Sequence, residues 1–167
     1  VKRIIVIDPH TWELFTEVYP KLVEGFDFEV ENFINILHKA IKEGKIRLAV
    51  DREIIVSYHD PCHYTKTSAL KIIDEPREII NAISGIIFRE PHYNKNLSIC
   101  CGGPLEFIFL DISKEIANMR CEEFKEVDAE LIITACPICT INFRRAVKNR
   151  EKVTDLIDLI YTSLRGD

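Results

Sequence analysis

The sequence predicts an α/β protein: a mostly parallel sheet with helices on both faces, in Rossmann-like layers. Two observations carry this class. Apolar, β-branched runs alternate with amphipathic stretches along the chain, the pattern of strands and helices laid down in turn. Prolines and small polar residues stand where strand-like runs give way to helical ones, at positions suited to first turns and caps. At 167 residues the chain suits one compact domain, 1–167, with room for a substantial core.

Arg3–Ile7 reads as a buried strand and His10–Glu24 as a helix bent at Pro20, which has no amide hydrogen to give. Phe26–Val30 is a short strand. Over Glu31–Glu43 the residues Phe33, Ile34, Leu37, Ala40 and Ile41 recur at helical spacing, and Gly44 ends the helix. Ile46–Val50 reads as a short strand or extended connection, and Glu53–Tyr58 as a strand closed by "HDPCH". Helices are expected at Tyr64–Ile73 and Pro76–Ser84, a strand at Ile86–Phe88 and a turn at Asn94–Asn96. Leu105–Val127 is largely helical and Leu131–Thr134 is a strand. Pro137–Lys148 and Thr154–Leu164 are helices, with Thr154 as the cap of the last.

A faint internal repeat runs through this order. "IVIDPHTWELFTEV" (5–18) aligns with "ITACPICTINFRRA" (133–146), which sets Asp8 against Cys136 and Thr11 against Cys139. The amphipathic stretches "VENFINILHKAI" (30–41) and "VTDLIDLIYTSL" (153–164) follow in each case. Residues 1–45 therefore resemble the cysteine-free tail of a preceding unit.

A net charge of −5 and the absence of an arginine-rich face argue against a nucleic-acid partner. No apolar run approaches the length of a transmembrane helix. "VKRIIVID" enters a strand rather than a signal peptide, and the expected compartment is the cytoplasm. In that setting six cysteines point to metal or redox chemistry rather than a disulfide framework.

Five of the six sit where strands end: Cys62, the adjacent pair Cys100 and Cys101, and Cys136 and Cys139 in "ACPIC". In a parallel sheet those ends share one edge, where ligands bind, so thiols far apart in sequence can converge. Pro137 marks a helix start beside Cys136 and Cys139, and the positive end of a helix favours thiolate. Gly102 and Gly103 let the main chain approach and turn amide hydrogens toward sulfur. Core packing accounts poorly for this set. Structural zinc uses four ligands and leaves one thiol over, and a thioredoxin-like pair at Cys136 and Cys139 leaves Cys100 and Cys101 idle. An iron–sulfur cluster uses many thiolates and accounts for all five.

The blocks "YHDPCH" (58–63), "DEPREII" (74–80), "CCGG" (100–103) and "ITACPIC" (133–139) resemble those of the cysteine-rich CCG domain family. That domain occurs in the B and D subunits of heterodisulfide reductases and in iron–sulfur subunits of lactate, glycolate and glycerol-3-phosphate oxidation systems. The resemblance implies a non-cubane [4Fe-4S] cluster on Cys62, Cys100, Cys101, Cys136 and Cys139, with Gly102 and Gly103 beside it, and electron transfer to a disulfide or similar acceptor. Family members carry two such units, whereas here "IDPHT" (7–11) stands where the first would close with cysteines, so the chain provides for one cluster. Without CxxCxxC spacing or a Gly-rich dinucleotide loop, electrons are expected from a ferredoxin-type iron–sulfur or flavin subunit, which can also tether the chain to a membrane. A homodimer is another source of a second unit.

His63 is the candidate proton donor to a departing thiolate. His59 reads as turn chemistry around Asp60 and Pro61, and His10 faces the same rim where the repeat holds. His38 and His92 read as surface residues, Cys121 as core, Asp8 as a helix cap, and Trp12 and Phe15 as core or interface. Two other functions fit the same cysteines: a zinc-stabilised or cluster-less scaffold subunit, and a thiol redox sensor using Cys100, Cys101, Cys136 and Cys139.

Overall fold

In the computed structural model, which describes residues 2–164, the chain enters as strand β1 (Arg3–Val6). Positions 1 and 165–167, the outer ends of the expected domain, lie outside the described residues. Asp8 caps helix α1 (Pro9–Glu13), its Oδ1 accepting from the amides of His10 and Thr11 at 3.0 Å each. Pro9 fills the first turn, where no amide hydrogen is needed. The helix widens to a π-turn over Leu14–Val18 and ends as α2 (Tyr19–Leu22). The widened turn lies just before Pro20, where the regular bonding pattern fails for want of a donor.

The strand expected at Phe26–Val30 lies later, as β2 (Glu29–Asn32), parallel to β1. Asn32 then caps α3 (Phe33–Lys42) through a 2.9 Å bond from the Ile34 amide. Ile46–Val50 and Glu53–Tyr58 belong to one strand, β3 (Leu48–His59), whose register shifts between Ala49 and Ile54. An irregularity of that kind breaks the side-chain alternation that would mark a single strand. The helix expected at Tyr64–Ile73 is replaced by a single π-turn, His63–Thr67. Beyond it, Glu17 takes the Ala69 amide and the Ser68 hydroxyl at 2.6 and 2.8 Å, bonds that a further turn cannot match.

Helix α4 (Glu75–Asn81) is shorter than expected because strand β4 (Ile83–Phe88) begins early. The stretch from Leu105 becomes helical only at α5 (Leu110–Glu126), after a 3-10 turn at Gly103–Leu105. Strand β5 (Leu131–Thr134) and helix α6 (Pro137–Ala146) follow. Thr154 lies in strand β6 (Val153–Asp155), and Asp155 rather than Thr154 caps α7 (Leu156–Ser163), with a 3.0 Å bond from the Ile157 amide.

The strands form two parallel sheets, β1–β2 and β4–β3–β5–β6. Neighbouring side chains on a strand point to opposite faces, and helices cover both faces of the larger sheet. Ile133 of β5 joins a core with Val56 and Tyr58 of β3, Ile79 and Ile80 of α4, and Leu156 and Leu159 of α7. Ile132 faces the other way, into a core with Phe124 of α5 and Phe143 of α6. Cys101, Cys136 and Cys139 belong to this second core. The layered α/β class is therefore the observed one.

The succession β1–α1–β2–α3 has the order of β5–α6–β6–α7. Val6 pairs with Asn32 as Thr134 pairs with Asp155, and Asn32 and Asp155 both cap the helix that follows. Asp155→Ala should lower the unfolding free energy by about 1 kcal/mol, the usual worth of a cap. Asn32→Ala should cost more, because Asn32 also donates to the buried Tyr64 hydroxyl at 2.9 Å, and an orphaned buried group adds about 1–3 kcal/mol. Urea unfolding of the two variants checks the order.

Candidate metal centre

The site begins with the turn that ends β3. Asp60 is 1% exposed and binds Arg77 of α4 through both carboxylate oxygens, each at 2.8 Å. It also accepts the Lys95 amide at 2.7 Å, and Arg77 is held from its other side by Glu90. One carboxylate thus ties the segment carrying Cys62 to the segment leading to Cys100. Two further bonds join the segments: Lys66 Nζ donates to the Ser98 carbonyl at 2.6 Å, and the Ser98 hydroxyl to the Asp60 carbonyl at 3.3 Å.

The pair Cys100 and Cys101 is shaped by the glycines after it. Gly102 has φ +83°, and a Cβ there would lie 2.8 Å from the Ser113 carbonyl oxygen. A Cβ on Gly103 would lie 2.4 Å from Ile138 Cγ2 and 3.2 Å from Cys101 Sγ. Both amides turn toward sulfur, Gly102 to Cys100 at 3.4 Å and Gly103 to Cys101 at 3.3 Å. Asn142 of α6 anchors the same bend, donating to the Cys101 carbonyl at 2.6 Å. Cys136 is the cap residue of α6, and Cys139 lies in its first turn.

All six cysteines are free, and five form a continuous chain of thiol contacts. Hydrogen bonds between sulfurs link Cys62 to Cys100, Cys100 to Cys101, Cys101 to Cys139, and Cys139 to Cys136. Five like charges cannot share this space, so acidity divides among them. Hydrogen bonds from Cys101 and Cys62 push the Cys100 thiol far down, against the opposing effect of burial. The Cys139 thiol and the first amides of α6 likewise lower Cys136. The proton donors move the other way: Cys101 is pushed up to about 12 by its bond to Cys100, and Cys62 and Cys139 also rise. Cys121 is buried against Ala117 and Phe124 in the same core, outside this chain of contacts, with burial pushing it up to about 11.

A small cavity beside the sulfurs is lined by Cys62, Cys101, Cys136 and Cys139 together with Pro9, His10 and His63. The His63 and His10 rings lie in contact, tilted by 51° with centroids 4.2 Å apart, and His63 Nδ1 pairs with Glu13. Burial, followed by the neighbouring His63, lowers the pKa of His10. Asp8 is occupied as the cap of α1, and Trp12 is buried with Nε1 donating to the Leu70 carbonyl at 2.9 Å. Phe15 packs between Tyr19 and Phe26. His38 pairs with Glu78 at the surface, and His92 meets Tyr93 edge-on.

His59 differs from its sequence reading. It is the last residue of β3, fully buried, with Nδ1 bound to Arg120 rather than to a turn. Burial first, and then Arg120, push its pKa down to about 3, leaving the imidazole neutral. Among the described residues, the ligand atoms of His59, Cys101 and Cys139 form a group all within 4.8 Å of one another. The cue in the sequence was its alternation with Tyr58, which points into the opposite core. Arg77, Arg120 and Asn142 carried no local signal, because their partners lie on other elements.

Five thiols gathered at the carboxyl edge of a parallel sheet, with amides aimed at two of them, define a cysteine-rich domain built for soft-metal chemistry. The chain belongs to the cysteine-rich CCG domain family, whose sequence model matches residues 56–144. It is 30% identical to the "Probable iron-sulfur-binding oxidoreductase FadF" of Bacillus subtilis, over 99% of this chain and 24% of that protein. It is 27% identical to the EtfAB:quinone oxidoreductase of Syntrophomonas wolfei, over 98% of this chain and 24% of that protein. It is 30% identical to the D subunit of the dihydromethanophenazine:CoB–CoM heterodisulfide reductase of Methanosarcina acetivorans, over 87% of this chain and 37% of that protein. The chain thus spans between 24% and 37% of the length of these relatives. No helix among the described residues is long and apolar enough to cross a membrane.

Two variants test the site's construction. Gly103→Ala should cost about 1–3 kcal/mol through overpacking, and Ile138→Ala in the same chain should recover most of it. A cost that persists in the double variant would point away from Ile138 as the obstacle. Arg77→Met should cost about 3–5 kcal/mol by leaving the buried Asp60 carboxylate unpaired, readable by denaturant titration.

Proposed function

We propose that the chain is an iron–sulfur redox module holding one non-cubane [4Fe-4S] cluster through Cys62, Cys100, Cys101, Cys136 and Cys139. The observation that carries this is the unbroken run of five thiols, a soft donor set larger than one tetrahedral ion needs. The donor set fits the group in two further respects. Gly102 and Gly103 supply amide hydrogens to sulfur, and glycine at 103 keeps a Cβ from crowding Cys101 Sγ, which it would meet at 3.2 Å. The names of the relatives, iron-sulfur-binding oxidoreductase and heterodisulfide reductase, support the same reading.

When bound, the cluster supplies electron exchange at iron beside thiolate sulfur. The protein's part is to fix the ligands, admit an acceptor and manage protons. Pro9, His10 and His63 border the cavity and form the rim at which a disulfide or similar acceptor reaches the sulfurs. Glu13 holds His63 by Nδ1, so that Nε2 can take up a proton and, as the imidazolium beside that carboxylate, hand it to a departing thiolate. Electrons come from a ferredoxin-type iron–sulfur or flavin subunit, in the cytoplasm or at a membrane to which that subunit tethers the chain. Residues 1–45 serve as the closing part of a preceding unit within a longer assembly, and their match in order and register to β5–α7 supports this.

A second reading rests on the close grouping of His59, Cys101 and Cys139, which suits a single zinc ion. Anaerobic purification with metal and sulfide analysis separates the two. Iron and labile sulfide in about equal amounts, roughly four of each per chain as the cluster formula requires, are expected. Cys100→Ser should lose that iron, and Cys121→Ser should keep it. One zinc and no iron, or full iron in Cys100→Ser, overturns the proposal.

A further inference from the structure

His59 sits in the core with one nitrogen unaccounted for. On β3, Val56 and Tyr58 pack into one core, and the alternation of the strand turns Ser57 and His59 to the side of the cysteines. The ring of His59 meets Phe143 edge-on with centroids 4.7 Å apart, and Phe124 at 6.5 Å, so its plane is fixed. Its Nδ1 receives the Nε hydrogen of Arg120 at 3.4 Å. Arg120 is 1% exposed, lies over the face of Phe124, and is held by Glu123 and the Ser98 hydroxyl. A guanidinium only donates, so Nδ1 is the acceptor and the ring proton sits on Nε2. That Nε2 is buried and has no partner among the described residues. The sulfurs of Cys101 and Cys139 lie with a ring nitrogen of His59 inside a 4.8 Å group.

We propose that His59 is an internal hydrogen-bond donor to the sulfur of the metal centre, its tautomer fixed by Arg120, and that it raises the centre's reduction potential. The inference rests on the iron–sulfur reading above. A donor to thiolate or sulfide draws electron density from sulfur and eases the negative charge gained on reduction. His59 is then a tuning residue, one face toward the cluster and the other toward α5. Its role differs from that of the glycine amides, because a side chain can be replaced without disturbing the ligand loop.

The test compares the full chain with His59→Leu and His59→Gln after anaerobic reconstitution with iron and sulfide. Iron and sulfide content is read first, and it judges the cluster reading by itself: a wild-type chain that takes up neither ends both proposals. Given a loaded wild type, both variants should keep the same iron and sulfide. The midpoint of His59→Leu should shift to lower potential, and His59→Gln, which retains an N–H, should fall between. Pulsed EPR of the reduced wild type labelled with 15N-histidine should show a weak coupling of the size expected for a hydrogen bond. An unchanged midpoint in His59→Leu overturns the proposal. So does loss of iron from a folded His59→Gln, or a coupling of ligand strength, either of which makes His59 a ligand. Should His59→Leu fail to fold, the potential of His59→Gln and the wild-type coupling decide.

Discussion

The site hangs on the carboxylate of Asp60. It lies at the end of the central strand, buried, and answers three donors at once: both arms of the Arg77 guanidinium and the amide of Lys95. A buried pair of this geometry is weak evidence of net stability, since apolar replacements often do as well. Its consequence here is positional. It fixes the segment bearing Cys62 against the segment bearing Cys100, two stretches that the chain order keeps apart. Arg77 therefore shapes the site from a distance, through the turn that Asp60 opens.

The same segments decide which thiols each cysteine meets. Cys100 and Cys101 are neighbours in sequence and their thiols meet, and the bend after them, secured by Asn142 and Ser113, gives each sulfur a second and different partner. Cys100 faces Cys62, and Cys101 faces Cys139. Proton sharing then makes Cys100 and Cys136 the two most acidic positions, one in each half of the run. At the matching place in the first half-repeat stands Asp8, a hard oxygen donor already committed to two helix amides. The symmetry of the backbone is thus kept while the symmetry of the chemistry is not.

Much of this was readable from sequence, and the failures share a cause. The alternation of strands and helices gave the layered class, and the cysteines at strand ends gave their convergence, because both follow from local pattern and a general property of parallel sheets. The boundaries that moved were set by distant partners. The helix does not continue past Thr67 because Glu17, on another element, captures the donors of Ser68 and Ala69. Thr154 yields the cap to Asp155 because β6 extends through it to pair with β5. His59 read as part of a turn because burial in a second core is invisible in the six letters around it. Glu13, which orients His63, is likewise far from it in the chain.

Gly103 and Ile138 face each other across the site, with no space left for even one methyl carbon between them. This has a bearing on how such domains can diverge. A change at 103 is costly while isoleucine occupies 138, whereas trimming 138 first removes the nearest obstacle. The two sites are thus coupled: the order in which they change sets how much stability is lost on the way. Gly103 is then kept by its opposite number on α6 as much as by the sulfur beside it, while Gly102 answers to its positive φ and to the Ser113 carbonyl of α5.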